Sequence, residues 1–307
     1  MTLHVLVPSV PKNPDSPTSA RINLLKEAAG VRGIDLHIID AKQCKMVLNG
    51  KISVLIENEE LKGIDMLLSL PSYSTTDSLV RATLLQQFEL CGVRVVNSFA
   101  STMIAKNKIT SLQLLAKNKV PIPKTYAIHS SGHMNDMLKD IGRFPVIVKS
   151  VVGSLGIGVA IIESKRGLRS IADMMIESNN SHPLLLQEYI KESSGKDIRV
   201  FVVGNKIVAA MDRIAVTRGE FRSNFSLGGK VKIAELTDEE KKMAIKATRV
   251  CGLDYAGVDL IRSKEGTKVL EINSNPGFKG ITKATGADVA GEIIDYMVAL
   301  AKKKKKK

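Results

Sequence analysis

The sequence predicts an α/β protein in which a parallel, helix-covered sheet comes first and two α+β units follow. Three observations carry this. The first ninety-odd residues alternate apolar strands with helices, the pattern of a small parallel sheet. Around Asn97 that alternation gives way to helices, hairpins and glycine-rich loops. Near the C-terminal end, two apolar runs, Ala256–Ile261 and Val269–Asn273, flank Ser263-Lys264-Glu265-Gly266 and read as a hairpin. The expected organisation is an N-terminal α/β domain over 1–97, a central unit over 98–190, a C-terminal unit over 191–301, and a disordered lysine run over 302–307.

In order, His4–Val7 is a first strand, followed by a Pro/Ser-rich loop and a helix from about Ser19 to Gly30. Strands are expected at Asp35–Ile39 and Ile64–Ser69. A helix over Thr76–Gly92 carries Leu79, Ala82, Leu84, Leu85 and Phe88 at helical spacing. Arg94–Val96 is a short strand. Helices over Ser98–Asn118 end at Val120-Pro121-Ile122-Pro123. Then come strand Thr125–Ile128, helix Met134–Ile141, strand Pro145–Lys149, a glycine-rich loop, strand Val159–Glu163, helix Arg166–Ile176 and strand Leu184–Ile190. A hairpin over Asp197–Arg213, a polar loop, a helix over Thr237–Gly252, the C-terminal hairpin and a last helix over Gly286–Leu300 complete the chain.

Composition excludes some classes. With 307 residues, 44% apolar and 25% charged, a soluble globular protein with a large core is expected. No run of about 18 apolar residues predicts a membrane span, and the start lacks the basic region of a signal peptide. Cys44, Cys91 and Cys251 are odd in number and lack metal-ligand spacing, so reduced thiols and a cytoplasmic location are expected. His129 and His133 are separated by Ser130-Ser131-Gly132 and read as loop and helix start rather than a metal pair. The net charge is +14, of which six belong to Lys302–Lys307, leaving +8 on the body. A basic body favours nucleotides, acidic peptides or RNA as partners.

The chemistry concentrates in a few segments. In the C-terminal hairpin Glu271 and Asn273 share a face and Asp259 lies opposite them. Two carboxylates and an amide are oxygen donors suited to Mg2+, which binds through one or two carboxylates plus substrate phosphates; a solvated polar face is the alternative. Pro145–Lys149 is a buried-looking strand ending in a lysine, followed by the Gly153–Val159 loop. Such a loop lets backbone N–H groups approach phosphate oxygens, or is a plain turn. It fits neither a Walker A loop nor a dinucleotide-binding fingerprint. Leu184–Ile190 is an apolar strand that turns polar at Gln187-Glu188, suiting an adenine pocket or a strand reaching the surface. Asp197-Ile198-Arg199 places an acid and a base on one face, which is also what a surface ion pair would look like. Arg213 and Arg222-Ser223-Asn224 add donors fitted to phosphate or carboxylate.

The order of Lys149, the Gly153–Val159 loop, Gln187-Glu188-Tyr189-Ile190, Asp197-Ile198-Arg199, Phe221-Arg222-Ser223-Asn224, Ala256-Gly257-Val258-Asp259 and Glu271-Ile272-Asn273-Ser274-Asn275-Pro276-Gly277 resembles the ATP-grasp superfamily, and within it the RimK family of glutamate ligases. The resemblance runs from about residue 80 to 300 and is looser before residue 70. It implies an N-terminal pre-ATP-grasp domain and two lobes clasping ATP. Implied for ATP are Lys108, Lys149, Gly153, Ser154, Gly156, Gly158, Gln187, Glu188, Tyr189, Ile190, Asp197, Arg222, Ser223 and Asn224. Asp259, Glu271 and Asn273 would hold two Mg2+ or Mn2+ ions. Arg222 and Asn273 are implied as catalytic, and Arg199, Arg213 and Asn275 as substrate contacts. The implied reaction adds L-glutamate to the C-terminus of an acidic protein, such as a small-subunit ribosomal protein, through an acyl phosphate. Family members often form tetramers. Two departures are visible. The family more often has Asp where Asn107 stands, and Leu70–Thr76 lacks the family's arginine-bearing segment, which implies a different acceptor face. Alternatives are a small-molecule glutamate ligase, extending a coenzyme or carrier-bound amino acid, and a nucleotide-sensing or RNA-binding protein.

Overall fold

The computed structural model describes residues 2–70, 78–151, 158–178, 183–216 and 229–304. Strand β1 (Thr2–Val7) buries Leu3, Val5 and Val7 and leads into α1 (Pro17–Val31). That helix starts where the Ser16 side chain accepts from the Ser19 amide and Pro17 takes the first turn. Strand β2 (Asp35–Asp40) follows, then β3 (Cys44–Leu48), β4 (Ile52–Ile56) and β5 (Glu59–Glu60), then β6 (Met66–Ser69), α2 (Ser78–Leu90) and β7 (Arg94–Val96). The order β2-β1-β6-β7 forms an all-parallel sheet, as expected. The antiparallel meander β3-β4-β5 was not expected from the sequence.

Helices α3 (Phe99–Lys106) and α4 (Lys108–Lys117) lead into β8 (Thr125–Ile128), α5 (Met134–Ile141), β9 (Val146–Ser150), β10 (Val159–Ile162), α6 (Lys165–Ser178) and β11 (Leu184–Glu188). Their strands form an antiparallel sheet ordered β10-β9-β11-β8, whose core with α5 and α6 includes Val146, Val148, Leu168 and Leu186.

The third part holds β12 (Lys196–Val203), β13 (Lys206–Ile214), β14 (Lys230–Ile233), α7 (Asp238–Val250), β15 (Tyr255–Ser263), β16 (Gly266–Asn273), α8 (Lys279–Thr285) and α9 (Val289–Lys304). The sheet order is β14-β13-β12-β15-β16, all antiparallel. Part of the expected polar loop is strand β14, and a second helix, α8, precedes the expected last one. Helix α9 continues through Lys302, Lys303 and Lys304, where the lysine run was expected to be disordered. No helix of the described residues is long and apolar enough to cross a membrane.

The two faces of this last sheet explain where a site can form. Ile198, Val200, Val202, Val258 and Leu260 pack with Ala244 and Ala247 of α7. The opposite face, by strand alternation, carries Phe201, Val203, Ala209, Met211 and Tyr255, which share one core with β1, α1, α8 and α9. The N-terminal unit therefore covers one end of that face. At the other end the same face turns polar.

Candidate active site

Strands β15 and β16 pair Asp259 with Glu271 and Gly257 with Asn273. The two carboxylates are directly opposed and Asn273 lies on their face, as the sequence pattern requires. The register slips between Asp259 and Leu260, so a bulge sits beside the carboxylates, a place where bulges re-aim side chains. Gly257 is needed for space. A Cβ there would lie 2.7 Å from Pro276 Cβ and 3.1 Å from Arg199 Cδ.

Arg199 on β12 pairs with Asp259 in register. Its Nε and Nη2 both donate to the Asp259 carboxylate, the latter at 2.9 Å. Arg213 on β13 donates to Asp259 Oδ2 at 2.8 Å and to both oxygens of Asp197 at 2.7 and 2.6 Å. Of Asp197 and Arg199, the acid and base that share one strand face, each takes a partner from a neighbouring strand. Burial pushes the Asp259 carboxyl up, but Arg199 and Arg213 outweigh it and hold the group below the usual carboxylate range. A carboxylate offers about four lone-pair positions, so this one keeps room for a further cation. Among the described residues no three acids, histidines or cysteines gather as a metal cluster. The candidate donors are therefore two carboxylates and one amide, a hard all-oxygen set that fits a divalent ion such as Mg2+.

Lys149 comes from the central sheet. Its Nζ donates to Gln187 Oε1 at 2.6 Å, and Gln187 Nε2 donates to Thr125 Oγ1 at 2.8 Å, which fixes the amide's orientation. Burial pushes the Lys149 amine down to about 8, Lys108 pushes the same way, and Glu271, Asp259 and Asp197 oppose. Lys106 is likewise lowered by burial and raised by Glu271. Lys149 and Lys106 thus both feel the charges of Glu271 and Lys108, although these residues come from β9, α3, β16 and α4. Lys108 opens α4, behind the Asn107 side chain that caps it.

Glu188 ends β11 and accepts from Lys268 Nζ of β16 at 2.6 Å and from the Lys124 amide at 2.9 Å. With the Val269 amide bonded to the Pro121 carbonyl at 2.8 Å, it ties the central sheet to the hairpin. Tyr189 is half-buried and Ile190 is buried beside it. Gly158 has φ +75°, and its carbonyl accepts from the Ser150 amide at 2.8 Å, closing the base of the glycine loop. Gly153, Ser154, Gly156, Arg222, Ser223 and Asn224 lie outside the described residues. The structure thus brings Lys108, Lys149, Gln187, Asp197, Arg199, Arg213, Asp259, Glu271 and Asn273 together. Glu188 stands at a lobe-to-lobe ion pair beside them.

Three residues escaped the sequence reading. Lys106 is one. Asn97, 1% exposed, donates to the carbonyls of Tyr255 and Ser274 at 2.9 and 2.7 Å, and accepts from the amides of Asp254 and Tyr255 at 2.6 and 3.1 Å. It pins the start of β15 and the start of the loop that leaves β16 to the N-terminal sheet. Arg21 of α1 is the third, donating to Asn275 Oδ1 at 2.9 Å. Asn97 had one signal, a polar residue straight after a buried strand; Arg21 had none.

A family model described as the RimK-like ATP-grasp domain matches residues 105–297, and one described as the RimK pre-ATP-grasp domain matches residues 14–102. The chain belongs to the RimK-like ATP-grasp family. Probable alpha-L-glutamate ligase 1 of Hahella chejuensis is 38% identical over 96% of this chain and 95% of that protein. The probable alpha-L-glutamate ligase of Pseudoalteromonas translucida is 39% identical over 91% and 92%. Among solved structures, the ATP-grasp ligase PsnB complexed with minimal precursor superposes with a TM-score of 0.72 at 20% identity, covering 96% of this chain and 98% of that one. D-alanine–D-alanine ligase from Bacillus anthracis complexed with ATP gives 0.70 at 18%, covering 100% and 99%. These likenesses establish the ATP-grasp fold with its pre-ATP-grasp unit in front. As a RimK-like ATP-grasp protein, the chain is a bond-forming enzyme of the ligase class.

Proposed function

We propose that this enzyme uses ATP to join L-glutamate to the C-terminal carboxylate of an acidic polypeptide, releasing ADP and phosphate. The observation that carries the reading is the opposition of Asp259 and Glu271 with Asn273 on their face, set among Lys149, Lys106 and Lys108. That arrangement suits a polyphosphate bridged to a divalent ion. In this reading residues 1–97 form the pre-ATP-grasp domain, and 98–190 and 191–301 form the two lobes.

A free carboxylate is a poor acyl donor, because its leaving group would be oxide. Transfer of the terminal phosphoryl of ATP makes it an acyl phosphate, and the amine of glutamate then displaces phosphate. Lys149 and Lys108 lie against the phosphates and offset the charge that develops there. Gln187 orients Lys149. Glu188, Tyr189, Ile190 and Asp197 lie at the nucleoside, and the Gly153–Gly158 loop covers the phosphates. Arg222, Ser223 and Asn224 line the reacting end. Asp259, Glu271 and Asn273 would hold Mg2+ or Mn2+, which supplies further neutralisation of phosphate charge. Peptide-bound relatives support a polypeptide acceptor: PsnB is complexed with its minimal precursor, and the macrocyclase MdnC is bound with precursor peptide MdnA. The curated relatives' name supports glutamate.

The test is phosphate release from ATP and Mg2+ with each amino acid in turn and a set of acidic peptides. Glutamate should stand out, and Glu271→Gln should lower the rate about 100-fold, since losing a group that only supports a metal ligand already costs about 10- to 100-fold. No amino-acid-dependent release with any peptide would overturn the proposal.

A further inference from the structure

Arg21 lies in α1, 8% exposed, far in sequence from the site but bonded to Asn275 of the loop that leaves β16. A guanidinium has five N–H donors. Among the described residues Asn275 Oδ1 is the one acceptor this guanidinium meets, and no carboxylate pairs with it. The arginines that form ion pairs differ. Arg32, Arg94, Arg199, Arg213 and Arg262 each hold an Asp or Glu. Burial lowers the affinity of Arg21 for its proton, with the Tyr255 hydroxyl acting the other way. A buried cation without a counter-charge is costly, so such groups are normally paired.

Further polar groups adjoin its two partners, Tyr255 and Asn275. The Tyr255 hydroxyl donates to the Ser69 carbonyl at 3.1 Å. The hydroxyls of Ser69 and Ser274, on residues 2% and 4% exposed, have no hydrogen-bond partner among the described residues. Asn275 is two residues past Asn273, so their Cα atoms are at most about 7 Å apart. Ser69 ends β6, at the carboxyl edge of the parallel sheet.

Building on the proposed ligase reading, we propose that Arg21, with Asn275, Ser69 and Ser274, forms a subsite that binds a substrate carboxylate. A carboxylate would take the free fork of the guanidinium in a bidentate bond and supply the missing charge. It belongs either to the incoming amino acid or to the acceptor's C-terminus.

The protein with AMP-PNP and Mg2+ distinguishes these sources. Thermal midpoints are read with L-glutamate against L-glutamine, and with an acidic peptide bearing a free against an amidated C-terminus. In Arg21→Met the free protein should melt no lower than wild type, because a buried charge with no counter-charge among the described residues has gone. One of the two carboxylate ligands should then lose its stabilising shift. The KM for that ligand should rise about 10- to 100-fold, the range expected for losing a charged hydrogen bond, while kcat changes much less. Arg21→Lys, which keeps the charge and loses the fork, should recover part of the effect. Loss with glutamate assigns the amino-acid carboxylate, and loss confined to the free-ended peptide assigns the acceptor. Unchanged shifts and KM values in both variants, or a lower melting point with unchanged KM, would overturn the subsite while an active wild type upheld the ligase. A wild type that releases no phosphate and is stabilised by neither ligand would sink both.

Discussion

Lys149 makes the pH dependence of the site predictable. Its amine is pushed down to about 8, first by burial, so in the free protein it is charged below that pH and neutral above. An unfolded lysine keeps its proton to about 10.4. Between those values the unfolded chain binds more protons than the folded one, so this group makes stability rise with pH across that window. Phosphate binding runs the other way, because neutral Lys149 attracts it less. We therefore expect ATP affinity, measured by calorimetry from pH 7 to 9.5, to weaken above about pH 8, with Lys149→Met binding weakly and without that slope. A wild-type affinity that is flat across the range would contradict the assignment. The sequence exposed Lys149 as an oddity, a lysine closing an apolar strand. It did not expose the pairings of Arg199 and Arg213. These depend on how β13 and β15 lie against β12, and a period-2 pattern within one strand carries no information about that.

The elements were legible where their periodicity was strong. Arg94–Val96, Thr125–Ile128 and Met134–Ile141 form as the pattern requires. The β3-β4-β5 meander was hidden because it has little core of its own: Met46, Leu48 and Ile52 are exposed. One cue was present, since Asn49-Gly50 with Gly50 at φ +86° is a turn signal. The next turn uses positive φ at Glu57 and Asn58, a conformation that Glu57 does not advertise. Asn97 shows how much one loop residue can organise at this scale. It satisfies two carbonyls and two amides at both ends of the β15–β16 unit. Asn97→Ala leaves these buried groups without partners, at about 1–3 kcal/mol for each one that water cannot reach. We expect a loss of about 3 kcal/mol in urea-unfolding free energy, together with lower ligase activity. A variant as stable as wild type would show that water replaces the amide.

For the whole molecule, the informative fact is that one sheet face serves two purposes. Phe201, Val203, Met211 and Tyr255 bury one end of it beneath the N-terminal unit. Asp197, Arg199, Arg213, Asp259, Glu271 and Asn273 occupy the other end, facing Lys149 from the central sheet. Strand alternation made that polar end readable as one wall of a site. The opposite wall assembles from residues distant in sequence, Lys149 through tertiary packing and Arg21 through a contact spanning 254 positions, which no local pattern records. In the proposed function, this face joins glutamate to a peptide carboxylate. The most direct test is mass spectrometry of an acidic peptide incubated with the protein, ATP, Mg2+ and L-glutamate. Mass increments of whole glutamyl residues should appear at the peptide's C-terminus, absent with Glu271→Gln and absent when that C-terminus is amidated. A glutamyl adduct that survives either change, or none on any acidic peptide while wild type consumes ATP, would contradict the proposed function.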